Sequence, residues 1–151
     1  MPVTSKVYSW FLNDAMGGDA YPAGGRSLYV MLCSSVYTWA PQHRYKSEVN
    51  DYEVSGPGYG AGGMALPVIS TQKDLADGKW SLHCYDIIWP SSTITARYAV
   101  FYMDNYGSDD YRNLMLCWDF GEDVSSSDSD FTLQTASTGL LTLDAAVEIL
   151  P

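Results

Sequence analysis

A chain of 151 residues, 46% of them apolar, is long enough to bury one sizeable core and too apolar to remain disordered. Its 18 acidic against 8 basic residues leave a formal charge of −10. That balance speaks against a nucleic-acid backbone and against an anionic membrane as partners, since both require clustered Lys and Arg.

Met1–Lys6 is not followed by an uninterrupted apolar stretch, so no signal peptide is read there, and no run approaches the length of a membrane span. Residues 4–16 read as one short helix. Thr4 or Ser5 stands at the N-cap, Tyr8, Phe11, Leu12, Ala15 and Met16 follow helical spacing, and Gly17-Gly18 ends it. Such a helix packs on a sheet or serves as an arm to a neighbouring subunit. The period then changes to two. Residues 27–33 read as a buried strand, and 34–54 as irregular, with a helical turn near Gln42–Val49. The segment Ser55–Gly63 is a loop, its glycines giving positive φ and Pro57 a fixed bend. Its glycines and Tyr59 are expected to hold the backbone close against a neighbouring strand or subunit.

Further strands are expected at 64–70, 79–88, 93–103, 112–119, 130–135 and 139–143. Strand 93–103 is apolar on both faces and so is placed centrally. The predicted fold is mainly β: one antiparallel β-sandwich domain over 1–151, with helix 4–16, sheet core 27–143 and a short C-terminal tail at 144–151. Ile94, Val100, Leu114, Leu116, Trp118, Phe131 and Leu133 are the predicted structural core.

No catalytic residue is assigned. His43 falls in a polar loop and His83 in a strand, with no His-Glu-x-x-His, phosphate loop or nucleotide fingerprint. The acidic runs Asp104–Asp110 and Asp119–Asp130 fail the spacing of a calcium-binding loop, and no aromatic cleft accompanies them as a glycosidase would need. No metal and no cofactor is expected. Cys33, Cys84 and Cys117 are an odd, scattered set inside apolar runs, read as buried reduced thiols in keeping with assembly in a reducing cytoplasm.

Three stretches resemble a widespread family of small structural proteins of tailed bacteriophages. They are Glu53-Val54-Ser55-Gly56-Pro57-Gly58-Tyr59-Gly60-Ala61-Gly62-Gly63, then Trp89-Pro90-Ser91-Ser92-Thr93-Ile94-Thr95-Ala96-Arg97-Tyr98-Ala99-Val100, then Asp119-Phe120-Gly121-Glu122-Asp123-Val124-Ser125-Ser126-Ser127. Asp130–Leu133 and Gly139–Leu143 follow in order. The loop Asp104–Arg112 is longer than the family pattern, and the tail Asp144–Pro151 runs past its usual end.

The resemblance implies a non-enzymatic virion component assembled in the host cytoplasm. It implies a capsid decoration, or cement, protein that bridges subunits of the shell. The alternative is a tail or head-fibre adsorption module that contacts the host surface. The implied partners are the major capsid protein and further copies of the chain, as a trimer suited to three-fold junctions. The helix and the loops at 34–63 are the least sheet-like apolar segments. Tyr8, Phe11, Tyr37, Trp39, Tyr45, Tyr59, Gly62 and Gly63 are therefore the candidate interface residues. Lys6, Arg26, Arg44 and Lys46 are expected to relieve charge repulsion there.

Overall fold

Two long apolar runs set the architecture. Thr95–Met103 (β7) and Leu114–Ser125 (β8) pair antiparallel and bury side chains on both faces over much of their length. A strand buried on both sides needs cover on both sides, and the rest of the chain supplies it. In the computed structural model, residues 3–17, 27–67, 70–104, 108–136 and 139–144 are described. Leu28–Cys33 (β2) pairs with the other edge of β7, and the short Met64–Ala65 (β3) pairs with β2. Thr4–Val7 (β1) pairs with β8, which gives a five-stranded sheet in the order β1-β8-β7-β2-β3.

The register sorts the two faces. Cys33, Tyr98, Val100 and Cys117 sit on one face; Leu32, Ala99, Phe101 and Trp118 sit on the other. The first face is covered by helix α1 (Ser9–Gly17) and by the irregular segment 34–54, which contains the 3-10 turns Lys46–Glu48 and Asn50–Tyr52. Tyr8, Phe11, Tyr37 and Val49 fill the space beneath them.

The second face is covered by a bent ribbon. Ser70–Asp74 (β4) and Lys79–His83 (β5) form a hairpin, and Leu141–Asp144 (β10) pairs with β5. Ile87–Ser92 (β6) pairs with Ser129–Leu133 (β9). β5 and β6 run on from one another, as do β9 and β10, so the two small sheets are one antiparallel ladder broken in the middle. Thr135 holds the break: its hydroxyl donates to the Cys84 carbonyl at 2.9 Å and its N–H donates to Asp86 at 2.9 Å. Trp89, Phe131 and Leu133 point from this layer into the core, and Phe120 of β8 meets Phe131 with ring centres 6.3 Å apart.

The mainly antiparallel β fold with a short N-terminal helix is the one expected. Its N-terminal boundary is different. Thr4–Val7 is a strand, because it completes hydrogen bonding along the edge of β8, and the helix starts only at Ser9. The predicted strand 79–88 is two strands, and Ser70–Asp74 is a strand with no buried position. Of the predicted strand 139–143, Leu141–Leu143 pair, in β10, with Asp144 its last residue rather than the start of a tail; the tail beyond 144 lies outside the described residues. Of the predicted core, Ile94, Val100, Leu114, Leu116, Phe131 and Leu133 are buried, whereas Trp118 is only half-buried at the side of the sandwich that β9 leaves open.

Candidate docking surface

The three sequence motifs converge on one corner of the fold. The Thr93 N–H donates to the Pro57 carbonyl at 2.9 Å, and a side chain at Gly58 would strike Ser92 Cα at 2.7 Å. Ser92 is fully buried, and its hydroxyl lies 2.8 Å from that of Ser126. The Ser126 N–H donates to the Ile94 carbonyl at 2.9 Å. Arg97 pairs with Asp119 at 2.9 Å. Each motif therefore supplies backbone and hydroxyl groups to a joint between strands.

The glycine loop is held from within. Glu53 accepts the Gly62 N–H at 2.6 Å and the Tyr59 hydroxyl at 3.2 Å, while Tyr59 takes up the Leu32 N–H at 2.9 Å. That last bond satisfies a donor on β2 beyond the reach of short β3. Gly63 has φ +79°, and a Cβ there would lie 1.7 Å from the Val30 carbonyl oxygen. The close approach expected of this loop is to the chain's own β2.

Beside the loop lies a charged cleft of about 360 Å³. Arg112 donates to Asp104 and to Asp109, each at 2.6 Å, and buried Lys46 reaches Asp109 at 3.3 Å. Burial pushes the Asp109 carboxyl up, but its hydrogen bonds from Arg112 and Asn50 and the charge of Lys46 outweigh that and leave it below the usual carboxylate range. The charges of this cleft satisfy one another.

The expected contact residues divide. Tyr8, Phe11 and Tyr37 are buried and cannot meet a partner; they fill the layer between α1 and the sheet. The Tyr8 and Tyr37 hydroxyls are 2.8 Å apart, and Tyr37 is 2.9 Å from His43 Nδ1. Trp39, Tyr45, Tyr59, Gly62 and Gly63 are half-buried. The basic residues are not loose counter-charges either. Lys46 is buried on Asp109, Lys6 stands 5.2 Å over the Trp39 ring, Arg44 is paired with Asp14, and Arg26 lies outside the described residues.

What reaches the surface is a ladder of rings around one guanidinium. Arg44 stands 4.4 Å over Trp10 and 4.8 Å from Tyr45, and Tyr45 meets Tyr111 edge-on at 6.4 Å. Trp10 is 40% and Tyr111 57% exposed. Asp14, buried in α1, grips Arg44 through Nε at 3.1 Å and Nη2 at 2.8 Å, and Asn113 donates to the same carboxylate at 2.7 Å. Glu48 accepts the N–H groups of Arg44 and Tyr45 at 2.6 and 2.9 Å. A fixed guanidinium among exposed aromatic rings is the composition of an interface hot spot, and its rigidity lowers the ordering cost of binding. Sequence reasoning included Tyr45 but missed Trp10, Arg44 and Tyr111 as a unit, because they come from three separate segments.

The remaining chemistry-bearing groups are few. Cys33, Cys84 and Cys117 are free and buried. Ser81 Oγ lies 2.7 Å from His83 Nε2, but no carboxylate among the described residues stands within ion-pairing distance of that ring. Among the described residues, no group of three or more His, Cys, Asp or Glu could hold a metal ion, and no helix is long and apolar enough to cross a membrane. Comparison of the chain with family models, with curated proteins and with solved structures finds no match.

Proposed function

We propose that this chain is a structural protein of a tailed-bacteriophage particle, a capsid decoration protein that seats on the shell and bridges its subunits. The observation that carries the reading is the surface ladder Trp10–Arg44–Tyr45–Tyr111, locked from inside by Asp14. It is a preformed protein-docking feature rather than a cleft around reacting groups. The resemblance of the three motifs to small virion proteins supports the same reading, and in this fold those motifs are joints of the scaffold. The partner surface is basic, on this view, since the chain carries a net charge of −10. A contact of ordinary size buries about 1,600 Å², and repetition around a shell multiplies a modest affinity. Assembly as a trimer lets every copy use the same patch at three-fold junctions.

The test uses shells that lack the protein. They should assemble, rupture at a lower temperature than complete shells, and regain their resistance when the purified chain is added. Trp10→Ala should fail to restore it while melting like the unaltered chain. Shells whose heat resistance is the same with and without the chain would overturn the reading.

A further inference from the structure

We infer that Asp77-Gly78, in the turn of the β4–β5 hairpin, is a site of self-modification at which the chain converts its aspartyl link into an isoaspartyl one without an enzyme. The pair ends the four-residue turn 75–78, which joins Asp74 to its cross-strand partner Lys79. No other Asp or Asn in the chain precedes a glycine. The nitrogen that has to move therefore belongs to a residue without a Cβ, and its approach is uncrowded.

The turn leaves both reacting groups at liberty. Residues 70–79 are all exposed, with Leu75 at 89%. The Asp77 carboxylate has no hydrogen-bond or ion-pair partner among the described residues, and the Gly78 N–H, at φ +67°, has no acceptor among them. What is fixed is the start of the turn, where Asp74 accepts the Asp77 N–H at 3.1 Å. Aspartates elsewhere are held: Asp14, Asp104, Asp109 and Asp119 by arginines, and Asp86 and Asp130 by main-chain N–H groups.

The chemistry needs no co-reactant. The Gly78 nitrogen attacks Cγ of Asp77, and the amide proton leaves with the carboxyl hydroxyl as water, closing a five-membered succinimide. Water then adds to one of the two ring carbonyls, and the C–N bond at that carbon breaks. Breaking at Cγ restores Asp77. Breaking at the main-chain carbonyl carbon leaves the chain running through Cβ and Cγ, one atom longer, with the α-carboxylate as side chain. Mass and charge are unchanged. Because β4 has no buried position, the lengthened turn displaces nothing in the core. The inference goes beyond the docking reading and needs neither a shell nor a second copy.

The test holds the full chain at physiological temperature for several weeks in water enriched in heavy oxygen, then digests it for mass spectrometry with electron-transfer fragmentation. Each passage through the succinimide places one heavy oxygen on residue 77. The peptide carrying 77–78 should split into two species of equal mass, one of them isoaspartyl. Label and isoaspartate at 77 should exceed those at any other aspartate by about tenfold or more, since no other is followed by so uncrowded a nitrogen. Asp77→Glu, which would have to close a six-membered ring, should abolish both. Asp77→Asn, which expels ammonia instead of water, should convert faster. Both variants should melt like the unaltered chain. An unlabelled Asp77 after incubation, equal label at the other aspartates, or conversion that survives Asp77→Glu would overturn the inference.

Discussion

Asp14 holds Arg44 with two hydrogen bonds, at 2.8 and 3.1 Å, from a position only 1% exposed to solvent. The pair ties helix α1 to the irregular segment 34–54, and its outer half presents the guanidinium between Trp10 and Tyr45. Arg44→Met should cost about 3 kcal/mol, because it leaves a buried carboxylate with Asn113 as its remaining partner shown here. Trp10→Ala should cost less than about 1 kcal/mol, since the ring is partly exposed and contributes an exposed cation–π contact. Denaturant melts of the two variants check the contrast between the buried pair and the partly exposed ring.

Two glycines in one loop give opposite expectations. Gly63→Ala would drive a Cβ to 1.7 Å from the Val30 carbonyl oxygen at a φ of +79°, and both the clash and the strain must be relieved by moving β2. A loss above about 3 kcal/mol is expected. Gly60 has open space where its Cβ would stand, and Gly60→Ala should change stability by less than about 0.5 kcal/mol. Thermal melts of both variants are sufficient. Equal effects would mean that the loop does not pack on β2.

Two tryptophans should likewise differ. Trp89 is 2% exposed between Tyr59 and Phe131, and Trp89→Ala should cost about 3–5 kcal/mol. Trp118, half-buried at the side of the sandwich that β9 leaves open, should cost roughly half as much, because part of its surface is already in water. Chemical denaturation of the two variants measures the ratio.

The parts of the fold legible in the sequence are those where the periodicity was uniform. β2, β7 and β8 announce themselves as apolar runs, and a strand covered on both faces reads that way whatever covers it. Ser70–Asp74 was illegible because every residue in it is exposed, so no alternation marks it. The helix starts later than its spacing predicts, because Phe11 and Ala15 fix its inward face but not its start. What decides the start is the pairing of Thr4–Val7 with β8, more than a hundred residues away. The same long range hid the candidate docking surface. Asp14 lies on the buried side of α1, where a polar residue looks misplaced until Arg44 and Asn113 are brought to it. The aromatic excess suggested interfaces; much of it, including Tyr8, Phe11 and Tyr37, instead covers the first face of the sheet.

The thiols carry an alkaline prediction. Burial pushes Cys84 up to about 11 and Cys117 up to about 12, and raises Cys33 as well. For an acid whose folded pKa is raised, the stabilisation is complete below the unfolded pKa, about 8.5 for Cys, and is lost as pH rises through the folded values. Stability should therefore begin to fall near pH 9 and continue to fall through pH 12. At pH 8 the native chain should resist alkylation, with Cys84, the most exposed at 8%, the first to react. The denatured chain should take up three labels. Intact-mass measurements before and after denaturation decide it, and a count below three would mean that a thiol is already bonded.

Whether the chain seats on a shell, as proposed, can be read from the density of purified particles that carry it. Many copies are expected at symmetric positions across subunit junctions of the shell, with α1 and the Trp10–Arg44–Tyr45–Tyr111 ladder turned toward a basic surface. Density confined to a few copies on the tail, or a ladder facing solvent, would contradict the decoration reading and favour an adsorption module.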